Sequence, residues 1–196
     1  MMIEHKKGWT EVICGSMFAG KTEELIRRVK RLNYAKKKVL VFRPKIDNRY
    51  SNTEVVSHSN FRVQAIIIEK AQEAEAYITD DVDAVAFDEA QFFDKYLIRL
   101  SQKLAKRGIR VILAGLDTDF RGETFGIMGD LMAQAQFVDK LHAICVKCGC
   151  EASRTQRLIN GEPAAYDDPI VVVGADECYE ARCLHCHEVR NKPKDD

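Results

Sequence analysis

Gly15-Ser16-Met17-Phe18-Ala19-Gly20-Lys21-Thr22 decides the fold. The stretch satisfies G-x-x-x-x-G-K-[ST], and its flanks supply the context that the motif needs. Residues 9–14 (WTEVIC) are apolar and β-branched and predict a strand. Residues 23–36 place Leu25, Ile26, Val29 and Leu32 on one helical stripe. A strand that turns through glycine into a helix lets main-chain N–H groups converge on phosphate oxygens, and the helix N-terminus adds a favourable dipole. Lys21 then reaches the β- and γ-phosphates, and the Thr22 hydroxyl is offered to Mg²⁺.

Working outward, strand and helix patterns alternate. Residues 39–42 predict a short buried strand ended by Pro44, 63–68 a strand, 69–77 a helix, and 83–87 a strand. Residues 95–106 predict a helix with Leu97, Leu100 and Leu104 on one face, stopped by Gly108, and 109–114 the next strand. Alternation of this kind predicts an α/β fold: a parallel P-loop-like sheet with helices on both faces. Residues 45–61 are polar and irregular and are expected to form a mobile loop. The strand at 83–87 ends in two acids, the Walker B pattern. Asp88 is expected to hold Mg²⁺. Glu89 lies on the opposite side of the strand end and is placed to accept a proton from an attacking hydroxyl or water.

Near residue 144 the pattern changes. Cys145-Val-Lys-Cys148 and Cys183-Leu-His-Cys186 are two C-x-x-C pairs separated by 34 residues. Four thiolates suit tetrahedral Zn²⁺, and four protein ligands leave no open position, so the metal is expected to be structural. His185 is the competitor for the fourth place. The division expected is 1–144 for the α/β domain, 145–190 for the zinc module, and a flexible tail at 191–196. Cys14 and Cys178 are expected to be core or loop thiols.

Composition bounds the function. The chain has 196 residues, with 30 basic and 30 acidic side chains. This balance argues against a nucleic-acid coat protein, and the basic run from Arg27 to Lys38 has no interleaved aromatics, as expected of a solvated helix face. No apolar run approaches the length of a membrane span, and the N-terminus shows no secretory signal. The expected setting is therefore the cytoplasm, where thiols stay reduced, and seven cysteines there point to metal or catalysis more than to disulfides. Asp88-Glu89-Ala90-Gln91 also looks like the acidic motif of helicases, though a helicase core needs two lobes and this chain has length for one. A regulatory ATPase carrying a zinc-ribbon binding module is the other alternative.

The combination resembles the zinc-containing, cytosolic-type thymidine kinases, through GSMFAGKT (15–22), DNRYS (47–51), FDEAQFF (87–93), GLDTDF (115–120) and GADECYEARCLHC (174–186). The resemblance implies transfer of the γ-phosphoryl group of ATP to the 5′-hydroxyl of thymidine, with deoxyuridine as a second acceptor. It implies Glu89 as general base, Lys21 and Arg49 at the transferring phosphoryl, and Gly15 through Thr22 with Asp88, Glu89, Ala90 and Gln91 around the nucleotide. Loop 45–61 would close on the nucleotide. Met17, Phe92, Leu116, Phe120, Thr155, Arg157 and Tyr179 match the thymidine pocket. Phe92 and Phe120 are placed to sandwich the ring, and main-chain groups of Ile170, Val171, Val172, Val173 and Gly174 to read its edge. Zinc would tie down both ends of this lid and limit its closure entropy. The resemblance further implies feedback by thymidine triphosphate and a homotetramer. Some members have His at the last metal position, where this chain has Cys186.

Overall fold

Strand β1 (Thr10–Gly15) is buried along its whole length and feeds α1 (Lys21–Tyr34) through the glycine-rich turn. The computed structural model describes residues 7–45, 54–56, 62–170 and 177–193. After α1 come β2 (Val39–Pro44), β3 (Glu54–Val56), β4 (Arg62–Gln64), β5 (Ile66–Ile68), β6 (Ala84–Phe87), α2 (Tyr96–Lys106), β7 (Arg110–Gly115), α3 (Met128–Gln134) and β8 (Phe137–Leu141). Six of these strands form one sheet in the order β5-β2-β6-β7-β1-β8, and every pairing in it is parallel.

Alternation along the strands assigns the two faces. Val12, Cys14, Phe42, Val85, Phe87, Val111 and Leu113 point to one side, where they pack against Leu97, Leu100 and Leu104 of α2 and Met128 and Leu131 of α3. Ile13, Val41, Ala86, Ile112 and Ala114 point to the other, against Leu25, Ile26 and Val29 of α1. Both faces are therefore covered, as a parallel sheet requires. Each buried Leu, Ile or Val contributes roughly 1.5–3 kcal/mol. Among the described residues, no helix is long and apolar enough to cross a membrane.

The expected elements shift in places. The strand expected at 63–68 divides at Ala65: β4 pairs antiparallel with β3, while β5 joins the main sheet beside β2. An unbroken run of apolar residues carries no mark of a change of partner. The expected irregular loop at 45–61 therefore contains a strand, β3. The helix expected at 69–77 is a 3₁₀ segment, Ala71–Ala76, whose buried Ala71 and Ala74 repeat every three residues, the period of that helix. Helix α3 and edge strand β8 had no counterpart in the sequence reading.

Past β8 the chain builds small antiparallel pieces: β9 (Ala143–Ile144) with β10 (Glu151–Ala152), and a three-stranded sheet of β11 (Arg154–Ile159), β12 (Glu162–Pro163) and β13 (Glu177–Arg182), in the order β12-β11-β13. Their core is made of small side chains and sulfur: Ala143, Cys145, Ala152, Ala181 and Cys183. Two contacts lie where the expected flexible tail begins. Arg190 bridges to Ala165, and Lys192 donates to the Arg121 carbonyl at 3.0 Å. Residues 194–196 lie outside the described residues.

Candidate active site

Because all six strands run the same way, their carboxyl ends open on one edge of the sheet, where α/β folds collect ligands. Gly15 ends β1, Pro44 ends β2, Phe87 ends β6 and Gly115 ends β7. The residues that follow these ends make the site.

The glycine-rich turn is tightly specified. Gly15 has φ 138°, and a Cβ there would strike the Leu141 carbonyl of β8, so both conformation and space require glycine. Gly20, left-handed at φ 83°, caps α1, and the Glu24 N–H donates to its carbonyl at 3.0 Å. Lys21 Nζ donates to the Ser16 carbonyl at 2.7 Å and closes the loop on itself. Burial pushes the Lys21 ammonium below its ordinary value, while Glu89, Asp88 and Asp117 pull the other way. One ammonium thus sits in the field of three carboxylates.

Asp88 is buried, and burial together with the adjacent Glu89 pushes its carboxyl well above the ordinary carboxylate range. Arg43, on neighbouring β2, opposes this from 3.4 Å. A buried acid of this kind, close to a phosphate loop, is suited to a divalent cation, which would replace the lost hydration. Glu89 takes a left-handed backbone, φ 52°, ψ 44°, at the head of the 3₁₀ turn Ala90–Phe92. Its carboxylate accepts from Gln91 Nε2 at 2.5 Å. Asp117, buried beyond β7, pairs with Lys140 at 2.8 Å. Cys14, under the site, is pushed up to about 11 by burial, with Asp117 adding to the shift, so its thiol stays protonated and packs as a small apolar group.

The residues matched to a thymidine pocket form two groups. Met17 and Thr155 touch: the Met17 N–H donates to Thr155 Oγ1 at 3.0 Å. Phe120 and Arg157 also touch, the buried guanidinium lying 5.2 Å from the ring centroid and donating to the Pro169 carbonyl. Tyr179 stands opposite Arg157 in the β11–β13 register. Phe92 packs edge-on against Phe125, 5.3 Å between centroids, a partner that the sequence did not single out. The Leu116 N–H is used on Gln91, and Ile170 is exposed. Arg49, Val171, Val172, Val173 and Gly174 lie outside the described residues.

The sulfur atoms of Cys145, Cys148, Cys183 and Cys186 all lie within 4.8 Å of one another. Tetrahedral zinc with bonds of about 2.3 Å sets neighbouring sulfurs about 3.8 Å apart, and Cys148 and Cys183 are 3.6 Å apart. The knuckle N–H groups are satisfied within each turn: Gly149 donates to the Cys145 carbonyl at 2.9 Å and Cys186 to the Cys183 carbonyl at 3.2 Å. The group can hold a zinc ion. His185, the competitor, is outside it, and His187 instead bonds the Phe120 carbonyl at 2.8 Å.

Several participants carried no local signal. Arg43 reaches Asp88 only because β2 and β6 are neighbours, and Asp117 and Lys140 meet across strands distant in sequence.

A parallel sheet that delivers a glycine-rich loop, a lysine and paired acids to one edge, with a four-cysteine module against that loop, is an α/β architecture suited to holding phosphate at that edge. A family model described as thymidine kinase matches residues 8–187, and the chain belongs to the thymidine kinase family. Membership carries phosphorylation of thymidine, with a nucleotide as the other substrate.

Proposed function

We propose that the chain transfers the γ-phosphoryl group of ATP to the 5′-hydroxyl of thymidine, with deoxyuridine as a second acceptor. The observation that carries this is the convergence of Lys21, Asp88 and Glu89 at one sheet edge in a chain of this family. Glu89 removes the proton of the 5′-hydroxyl as its oxygen attacks the γ-phosphorus. The bond from that phosphorus to the β–γ bridging oxygen breaks, ADP leaves, and the proton on Glu89 passes to water. Lys21 leaves the Ser16 carbonyl and balances charge on the phosphoryl oxygens, a task that Arg49 shares. Positioning and charge stabilisation supply most of the acceleration in such a transfer.

Residues 15–22 cradle the triphosphate, with Asp88 through Ala90 beside it. Thr22 and Asp88 hold the Mg²⁺ that accompanies ATP and neutralises phosphate charge. Met17, Thr155, Leu116, Phe92, Phe120, Arg157 and Tyr179 enclose the nucleoside, and the segment from Ile170 to Gly174 closes over its base as a lid. Residues 1–144 act as the kinase domain and 145–190 as a structural zinc module held by Cys145, Cys148, Cys183 and Cys186. We further assign the chain to a cytoplasmic homotetramer under feedback by thymidine triphosphate.

A turnover assay with ATP–Mg²⁺ tests the reading, run with and without thymidine and separately with single-stranded DNA. The expected result is ADP release that depends on thymidine and yields thymidine monophosphate. ADP release that ignores thymidine and rises with DNA would overturn it.

A further inference from the structure

Gln91 is buried, only 3% exposed, and a buried amide needs partners for both its ends. Its Oε1 accepts from the main-chain N–H of Leu116 at 3.0 Å. Its Nε2 donates to Glu89 Oε2 at 2.5 Å. The orientation is fixed by chemistry: a flipped amide would set its NH₂ against the Leu116 N–H and its oxygen against a carboxylate, so both bonds would be lost. Gln91 therefore joins the end of β7 to the acid at the end of β6.

The surroundings are shaped for this amide. A Cβ at Gly115 would lie 2.5 Å from Gln91 Oε1 and 2.9 Å from Met128 Sδ, so any larger residue at the end of β7 would push the amide from this place. A Cβ at Gly126 would strike the Gln91 carbonyl, so its main chain is hemmed in as well. Glu89 meanwhile holds a left-handed backbone, φ 52°, which an ordinary residue with a Cβ disfavours. Strain of this kind persists where neighbours over-determine it. Here the turn Ala90–Phe92 and the Gln91 amide supply that constraint.

We propose that Gln91 is a positioning residue for Glu89: it occupies one carboxylate oxygen, fixes the rotamer, and leaves the second oxygen for the acceptor hydroxyl. The inference rests on Glu89 being the general base. A neutral donor suits the task. An ammonium in the same place would hold the carboxylate more strongly and make it a poorer base, whereas an amide orients it without adding charge. Among the described residues, Lys21 at the head of α1 and Asp88 beside it act on Glu89 through their charges, and Arg43 from β2 pairs with Asp88. None of them is placed by sequence distance alone, and Gln91 is the group whose hydrogen bond sets the direction of the carboxylate.

The test is the purified full chain with Gln91→Leu, Gln91→Glu and Glu89→Gln, followed by kcat, KM, the pH profile of kcat, and equilibrium binding of ATP–Mg²⁺ and of thymidine. For Gln91→Leu we expect kcat to fall about ten- to hundredfold, the penalty of a misplaced reacting group, with both binding constants held within about twofold. For Gln91→Glu a second carboxylate faces the first, and the acid limb of kcat moves to higher pH by about one unit. A Gln91→Leu enzyme that is less stable yet keeps kcat and the acid limb would make the residue purely structural and overturn the inference. A rise in the KM for ATP at constant kcat would make it a nucleotide contact and overturn it equally. If Gln91→Leu does not fold, Gln91→Glu carries the same decision. Unchanged turnover in Glu89→Gln would instead remove the general base itself, so the two failures are told apart.

Discussion

The main-chain N–H of Met17 donates to Oγ1 of Thr155, 3.0 Å away and 138 residues later in the chain. Ser16 Oγ reaches the Ala152 carbonyl at 3.3 Å, and Ala19 packs against the core of the cysteine module. The glycine-rich turn therefore has two walls. The sheet supplies one through Gly15 and Leu141, and the cysteine module supplies the other.

Replacing Thr155 by Val keeps the shape and removes the acceptor. The part-buried Met17 N–H is then left without its partner, and losing such a bond costs about 0.5–1.5 kcal/mol. Thr155→Val is expected to lower the urea midpoint accordingly, and Thr155→Ser to recover most of the loss. An unchanged midpoint in the valine variant would mean that the N–H finds water and that the contact is incidental.

Asp88 gives a dependence on pH. Burial, with Glu89 beside it, raises its folded-state pKa above the unfolded value of 3.8. A raised pKa means that the native state holds the proton more tightly than the unfolded chain. Its contribution is fully present below about pH 4 and is lost as pH rises toward neutrality. In metal-free protein, Asp88→Asn removes that loss. The variant is expected to gain stability over the wild type as pH rises from 5 toward 7, by about 1.4 kcal/mol for each pH unit climbed in that window, and to level off by pH 8, while losing turnover. Urea melts of both proteins at these pH values decide it, and a constant difference between them would contradict the assignment.

What was legible in the sequence is what is encoded locally. The 15–22 motif, the acids after β6 and the two C-x-x-C pairs each span a few residues, and each requires its own backbone shape. The core stripes of α1 and α2 were likewise written in periodicity, down to Leu25, Val29, Leu97 and Leu104. What failed depended on distant partners. β4 and β5 look like one strand until the sheet claims one and β3 the other. β8 is an exposed edge strand, with Phe137 and Val138 facing outward, so no buried alternation announced it. α3 has seven residues and only Met128 and Leu131 to bury, too short for a period to show. Gln91 with Leu116 and Met17 with Thr155 are contacts made only by the finished fold.

The cysteine module offers the last prediction. Its core consists of Ala143, Ala152 and Ala181 around Cys145 and Cys183, side chains that bury too little apolar area to order the strands on their own. Metal binding is then folding energy for this part of the chain. Cys183→Ser removes one of four sulfurs, and a chelator removes the ion from the intact group. Either treatment is expected to release zinc in near-stoichiometric amount and to speed amide exchange across β11 and β13. β6 and β7, buried in the main sheet, are expected to stay protected. Because Ser16, Met17 and Ala19 lean on the same module, loss of the metal is also expected to weaken ATP binding, not thymidine binding alone. Zinc content, hydrogen exchange and a nucleotide titration on the same samples read all three effects. A Cys183→Ser protein that retains its zinc would show that this sulfur is not a ligand. One that loses zinc but binds ATP as before would show that the wall of the glycine-rich turn stands without the metal.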